Sequence, residues 1–244
     1  MKTTLDRTCY KYVCKSLGGG GFAFERYAVK KFDLIKDPEH TSKWDAYTKD
    51  RVPVSIKFVN DKRTGDIVFS DIFNCSSAKM NFILILGVWN EEKKKLKKVY
   101  HFKIDIEFWR SLFNYKLIPY LKKIIENDAN LKSNKYSIEK REDIWSKNYD
   151  KVYAAWEKDY NIMMPRSRSL KRIQCAITYY KFFENVANSQ FVVKEEHGVD
   201  LDLFYDSLNK QGDVLILNKH MKLKNGFYEI RKEYEGKLTD KQKE

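Results

Sequence analysis

The sequence predicts an α/β fold of the α+β type, a central mixed β-sheet flanked by helices. Three observations predict it. Hydrophobic patterns in the first half run from one helix through four strands to another helix. The run FILILGVW at 82–89 is strand-sized and rich in branched apolar side chains, as buried strands are. VYHFKIDI at 99–106 alternates after a lysine-rich turn, so we expect it to pair back on that run.

The first predicted helix covers residues 22–35, and Asp37-Pro38 ends it. The glycines at 18–21 that precede it are not followed by the GK[ST] of a phosphate-binding loop, so no ATP site is expected. Glu25 falls within the apolar face of this helix. Because a buried carboxylate without a partner is costly, we expect Glu25 to contact a cation or a metal.

The segment KWDAYTKDRVPVSIKF, residues 43–58, predicts two short strands around a polar turn. Side chains two apart share a strand face, so Ser55 and Lys57 point one way and Ile56 the other. The hairpin therefore brings Asp45 close to Ser55 and Lys57. Glu25 can approach the same point if its helix packs on the sheet.

Two carboxylates and an ammonium group at a strand end are suited to phosphodiester hydrolysis. Carboxylates hold Mg²⁺, which polarises the scissile phosphate and lowers the pKa of an attacking water. A neighbouring lysine orients or deprotonates that water, or stabilises the charge of the transition state. The alternative is a plain salt bridge between Asp45 and Lys57 at the edge of a hairpin, which is a common surface feature.

The charge of the chain favours a polyanionic partner. Its 244 residues contain 47 Lys and Arg against 34 Asp and Glu, a net charge of +13. Cationic side chains that neutralise phosphates release counterions and drive binding to nucleic acid. A lysine-rich composition can also reflect an AT-rich genome, so the charge alone does not decide.

The remaining composition predicts a compact cytoplasmic protein. No apolar run approaches 18 residues and the N-terminus lacks an apolar segment, so neither a membrane span nor a signal peptide is expected. The cysteines lack the two close pairs of a zinc site and the histidines are dispersed, which predicts reduced thiols instead. These residues are Cys9, Cys14, Cys75, Cys175, His40, His101, His197 and His220.

We expect a single domain over 1–244, in which 18–125 form the core and 126–244 a helical and mixed second part. That part is predicted to contain a charged amphipathic helix, a basic loop MMPRSRSLKR, a strand RIQCAIT and a helix YYKFFENVAN. GDVLILN and NGFYEIRKEY predict a last hairpin, and the tail is expected to fray.

In their order, GFAFERY, KWDAY and VPVSIKF resemble the core of the PD-(D/E)xK, or restriction-endonuclease-like, nuclease superfamily. The resemblance covers roughly residues 18–105. It implies a restriction-endonuclease-like core fold and Mg²⁺ as cofactor. Matched residue by residue, it implies that Glu25 is the helix acid, Asp45 the metal-binding aspartate and Lys57 the catalytic lysine.

One position departs from the family pattern. Ser55 stands where the family has the acid of acid-x-Lys, and serine is a poor Mg²⁺ ligand. A sub-group of type II restriction enzymes has Ser-x-Lys there and takes the missing carboxylate from further along the chain. Asp71 in FSDIFN is then the expected third metal ligand and Asp66 the second choice, although either can be an ordinary cap or turn residue.

A second group of candidates lies in PRSRSLKRIQCAIT, residues 165–178. Its cations are suited to phosphate contacts, and its first strand positions to base contacts, because Arg pairs with guanine and Gln with adenine. A solvated basic loop leading into a core strand is the alternative. The predicted nucleic-acid-binding residues are Arg166, Arg168, Lys171, Arg172 and Gln174.

Together these features predict a Mg²⁺-dependent endonuclease of the type II restriction class that acts on double-stranded DNA. A palindromic site would call for a homodimer. Two alternatives stay open. One is a non-catalytic DNA-binding protein on the same fold, degraded at Ser55. The other is a nuclease that repairs DNA or resolves branched DNA.

Overall fold

The computed structural model describes residues 19–37, 44–61, 65–90, 95–159, 162–170 and 172–201, then 203, 204 and 207, and the backbone of 221–224 and 227–230. The helices are α1 (Gly19–Lys31), α2 (Ile72–Ser76), α3 (Ile106–Ser111), α4 (Ile118–Ser133), α5 (Ile138–Lys158) and α6 (Tyr179–Phe182), and a π-helical turn at Phe183–Ala187 continues α6. The strands are β1 (Ile35–Lys36), β2 (Ala46–Tyr47), β3 (Pro53–Asn60), β4 (Asp66–Asp71), β5 (Phe82–Asn90), β6 (Lys95–Ile104), β7 (Met164–Ser169), β8 (Arg172–Thr178), β9 (Val192–His197), β10 (Met221–Lys224) and β11 (Phe227–Ile230).

Six strands form a mixed sheet in the order β1-β2-β3-β5-β6-β9. β3 and β5 run parallel, and the other neighbours are antiparallel. β4 lies instead in a three-stranded antiparallel sheet of order β4-β8-β7. The mixed α/β class is confirmed, as are the β2–β3 hairpin and the return of β6 on β5.

Helix α1 covers one face of the six-stranded sheet, which we call the α1 face. Ala23, Phe24, Tyr27 and Ala28 recur at helical spacing and are fully buried. Their side chains pack on those of alternate residues of β2, β3 and β5, namely Ala46, Val54, Ile56, Ile83 and Ile85. This contact fixes the helix that carries Glu25.

The opposite face of the sheet holds the larger hydrophobic cluster. Leu84 and Leu86 of β5 point into it, towards the three-stranded sheet and helices α2 to α5. Two buried indoles are satisfied there, since Trp109 Nε1 donates to Cys75 O at 3.1 Å and Trp156 Nε1 donates to Met163 O at 2.8 Å. Because β5 is covered on both faces, its sequence is continuously apolar rather than alternating.

Two predicted elements differ in the structure. Helix α1 ends at Lys31 rather than at residue 35, because Asp33 has a φ of 50° and turns the chain into β1. The predicted basic loop MMPRSRSLKR is wrong, since Met164–Ser169 is strand β7 and pairs antiparallel with β8. Its serines and arginines alternate with the period of a strand, which the density of charge obscured.

The structure confirms part of the prediction for the end of the chain. Strand β9 was not predicted. Only Val192 among its six residues is buried, so its sequence lacks the alternation of a half-buried strand. A hairpin of β10 and β11 is present and includes the FYEI of the predicted NGFYEIRKEY, whereas GDVLILN and the tail lie outside the described residues. Within the ranges given above, no helix combines the length and the apolar character that crossing a membrane requires.

Gly87 allows α1 to pack closely on β5. A Cβ atom at this position would lie 2.4 Å from Cε2 of the Phe24 ring, which is fully buried. We therefore expect Gly87→Ala to lower the free energy of unfolding by roughly 1–3 kcal/mol through overpacking, as measured by urea titration. Gly198→Ala is the control, because nothing lies within 4 Å of its added Cβ. Equal effects of the two substitutions would contradict this account of the α1 packing.

Candidate active site

Asp45 lies immediately before β2, where the hairpin begins. Its backbone N–H donates to Val54 O at 3.0 Å, and this bond holds the residue against β3. One side-chain oxygen, Oδ2, accepts from Ile56 N at 2.6 Å, Lys57 Nζ at 2.9 Å and Ser55 Oγ at 3.3 Å. The hairpin therefore brings Asp45, Ser55 and Lys57 together.

The Asp45–Lys57 pair is partly shielded from water. The exposed fractions of the two side chains are 29% and 19%, and Ser55 is buried. Ser55 and Lys57 lie opposite Leu84 and Leu86 of β5, whose side chains point away from the α1 face. The pair thus sits on the sheet face that meets the three-stranded sheet.

A small cavity adjoins Ser55. It has a volume of about 20 Å³, enough for a water molecule, and is lined by Trp44, Ser55, Phe69, Ser70, Cys75, Phe82 and Trp109. Ser55 of β3 and Ser70 of β4 therefore both line this cavity. Among the described residues, no acidic side chain lines this cavity.

Glu25 is not brought to Asp45. It forms an ion pair with Lys36, with 3.0 Å between Oε1 and Nζ, and its side chain is 20% exposed. Lys36 lies directly opposite Ala46 of β2, and Ala46 is buried on the α1 face. Directly opposite residues share a face, so Glu25 has the expected cationic partner, but on the other side of the sheet from the Asp45–Lys57 pair.

The two candidates for the missing acid also have partners. Asp71 is the N-cap of α2, and its Oδ1 accepts from Phe73 N at 2.9 Å and Asn74 N at 3.4 Å. Asp66 pairs with Arg166 across the three-stranded sheet. Over the described ranges, the one group of three or more potential ligand residues with all ligand atoms within 4.8 Å contains neither Glu25, Asp45 nor Asp71.

The basic segment forms strands β7 and β8 of the three-stranded sheet, which we call the basic sheet. Gln174 of β8 stands opposite both Asp71 of β4 and Arg166 of β7, while Ile173, Cys175 and Ile177 are buried on the other face as expected. Arg172 is exposed, and its Nη2 is 3.5 Å from Ser70 Oγ. Because Ser70 also lines the cavity beside Ser55, Arg172 lies near that cavity. The side chain of Arg168, and Lys171 as a whole, lie outside the described part.

Aromatic side chains of α5 hold β7 in place. Tyr149 donates to Pro165 O at 2.8 Å and accepts from Ser167 N at 3.1 Å, and Trp145 Nε1 donates to Ser167 Oγ at 2.9 Å. Burial raises the pKa of Tyr149 to about 12, so its hydroxyl stays protonated and remains a donor. These anchors were not predicted from the sequence, although an aromatic residue recurs every three or four positions along α5.

No protein-family model, curated protein or solved structure matches this chain.

Placing a second carboxylate beside Asp45 should create a divalent-cation site. Ser55→Asp puts two acidic groups together in a mostly buried place, which we expect to lower the free energy of unfolding by roughly 1–3 kcal/mol in metal-free buffer. A bound cation removes the repulsion, so millimolar Mg²⁺ or Mn²⁺ should raise the Tm of this variant, measured by differential scanning fluorimetry.

Ser55→Asn is the matched control, since it adds similar volume without charge. Its Tm should not respond to the cations. A Ser55→Asp variant that is equally insensitive to Mg²⁺ and Mn²⁺ would show that the Asp45 carboxylate is not open to a metal.

Proposed function

We propose that this protein is a Mg²⁺-dependent endonuclease of the PD-(D/E)xK type that cleaves double-stranded DNA. The observation that carries the proposal is the contact of Lys57 Nζ with the Asp45 carboxylate at 2.9 Å, beside Ser55, on a strand paired in parallel with its neighbour. The net charge of +13 and the basic sheet support an anionic polymer as the substrate.

When bound, Mg²⁺ would polarise the scissile phosphate and make water a better nucleophile. Asp45 is the residue that would hold it, together with water and phosphate oxygens of the DNA. Lys57 would then donate a hydrogen bond to the attacking water or to a phosphate oxygen, where negative charge develops. Ser55 would keep the carboxylate oriented through its hydroxyl.

The donor set fits Mg²⁺ only with help from the substrate. Mg²⁺ commonly uses one or two carboxylates plus waters and phosphate oxygens, and Asp45 provides one. Glu25 and Asp71 would have to leave Lys36 and the α2 cap to become second ligands. We therefore infer that metal binding depends on DNA more strongly here than in an enzyme with three converging acids.

The basic sheet would grip the DNA. Arg166 and Arg172 would contact phosphates or guanine, and Gln174 adenine, because these side chains lie on or beside one face of β7 and β8. A type II restriction enzyme acting in the cytoplasm as a homodimer is the form of the proposal that the resemblance favours. A nuclease that repairs or resolves DNA would use the same centre on a different substrate.

A second candidate is a DNA-binding protein that does not cleave. It is favoured by Ser55 in the place of an acid and by the separation of Glu25 and Asp71 from Asp45. In that case the Asp45–Lys57 pair is a structural ion pair that joins β2 to β3, and the basic sheet carries the activity.

The two candidates differ in the response of plasmid DNA to the protein. We expect discrete linear fragments with Mg²⁺ and none with EDTA, and Asp45→Ala or Lys57→Ala should lower the cleavage rate at least about 100-fold while leaving DNA binding intact. Gel electrophoresis and a mobility-shift assay measure the two properties. Nicking confined to branched substrates would indicate repair or resolution.

The control pair is Asp33 and Lys49, an ion pair with both side chains more than 70% exposed. Asp33→Ala and Lys49→Ala should cleave as the parent does. A DNA shift without cleavage in the parent protein, or full activity of Asp45→Ala, would reject the nuclease and leave the binding protein.

Arg172 is exposed at the start of β8, where its guanidinium can reach a phosphate. We expect Arg172→Ala to weaken DNA binding and to reduce by about one the slope of log K against log salt, measured by fluorescence anisotropy over 50–200 mM salt. Lys122→Ala, which removes an exposed charge from α4, is the control for the lower net charge. An unchanged slope for Arg172→Ala would mean that β8 does not touch the DNA backbone.

A further inference from the structure

Three potential metal ligands lie together at the β9 edge of the six-stranded sheet. Glu195 of β9 stands directly opposite His101 of β6, and His197 stands opposite Val99. Val99 is buried on the α1 face, and positions two apart share a face, so all three side chains project on that side. We call His101, Glu195 and His197 the histidine cluster.

The distances within the cluster suit a metal better than hydrogen bonds. His101 Nδ1 and His197 Nε2 lie 3.6 Å and 3.7 Å from Glu195 Oε2, beyond the usual range for hydrogen bonds of about 2.7–3.2 Å. A tetrahedral zinc ion with bonds of about 2.0–2.2 Å separates its ligand atoms by about 3.3–3.6 Å. The three ligand atoms all lie within 4.8 Å of one another.

His197 Nε2 supplies a second, independent observation. Within the described residues it is a buried nitrogen that has no hydrogen-bond partner. Buried polar atoms are nearly always satisfied, so this nitrogen, which lies 3.7 Å from Glu195 Oε2, is a candidate metal ligand. A metal ion between His197 Nε2 and Glu195 Oε2 would satisfy both.

The surroundings hold the cluster in place. The Phe32 ring packs against both imidazoles, with centroids 5.8 Å from His101 and 5.0 Å from His197. Lys103 Nζ lies 3.4 Å from Oε1 of Glu195, so it can bind one carboxylate oxygen while Oε2 remains available.

We propose that His101, Glu195 and His197 bind Zn²⁺, which links strand β9 to β6. Two imidazole nitrogens and one carboxylate oxygen select zinc rather than Mg²⁺, because Mg²⁺ takes oxygen ligands almost alone. Three protein ligands leave the fourth position of the tetrahedron for water.

The site is independent of the proposed nuclease centre. It lies on the α1 face, whereas the Asp45–Lys57 pair lies on the opposite face and two strands away, on β3. Its effect is expected on stability, because β9 pairs with β6 alone among the described strands. A zinc ion would add a second connection at this edge of the sheet.

The experiment uses the full chain, stripped with EDTA, dialysed and kept reduced so that the thiols do not oxidise. Zn²⁺ at 100 times its Kd should raise the Tm by about 5–10 °C, and calorimetry should give one ion per chain. Co²⁺ in place of Zn²⁺ should give the visible absorption of a four-coordinate ion. Mg²⁺ should do neither.

The substitutions His101→Gln, Glu195→Gln and His197→Gln should each weaken Zn²⁺ binding by more than about 100-fold and abolish the Co²⁺ absorption. Glu196→Gln, on the same strand, is the matched control that should retain both. Metal-free thermal melting and circular dichroism show whether each variant is folded. Because Glu195→Gln is nearly isosteric, it tests the proposal even if a histidine variant fails to fold.

Unchanged Zn²⁺ binding by folded Glu195→Gln and His197→Gln would show that the ion binds elsewhere on the chain and would overturn the proposal. Absence of any Zn²⁺ effect on the parent chain would overturn it as well. DNA cleavage with Mg²⁺ is measured separately, so loss of either activity leaves the other interpretable.

Discussion

Strands β3 and β5 run parallel and side by side, which forces the chain between them to leave the sheet and re-enter at the same end. The excursion contains β4 and α2, and β4 recruits β8 and β7 into a second sheet. That second sheet covers the face on which Ser55 and Lys57 project. The cavity beside Ser55 and the contact between Ser70 and Arg172 both follow from this one parallel pairing.

The Asp45 carboxylate has a structural role that is separate from the proposed chemistry. As a structural group it satisfies Ile56 N where β2 is too short to provide a backbone acceptor, and it neutralises a lysine that is 19% exposed. Partly buried pairs of this sort contribute little net stability, because the cost of desolvation offsets the attraction. The presence of the partly buried Asp45–Lys57 pair is therefore better explained by chemistry or by fixing the register of β2 on β3 than by a gain in free energy of folding.

Several elements that depend on local sequence patterns were predicted correctly. The hairpin, the buried β5 and the long α5 follow from alternation, apolar runs and helical periodicity. The juxtaposition of Asp45, Ser55 and Lys57 was predictable because all three belong to one hairpin. The position of Glu25 was not predictable, because it depends on which face of the sheet α1 packs against. The hydrophobic stripe of a helix does not specify that face. His101 and Glu195 are 94 residues apart, and only the pairing of β6 with an unpredicted strand brings them together.

Strand β9 has a further consequence for assembly. Residues 194–196 place one lysine and two glutamates in succession on it, and all three side chains are exposed. Charged residues on an outer strand discourage a second chain from extending the sheet, because docking would strip them of solvent. If two copies associate, the β9 edge is therefore a poor place for the sheet to continue from one copy into the other.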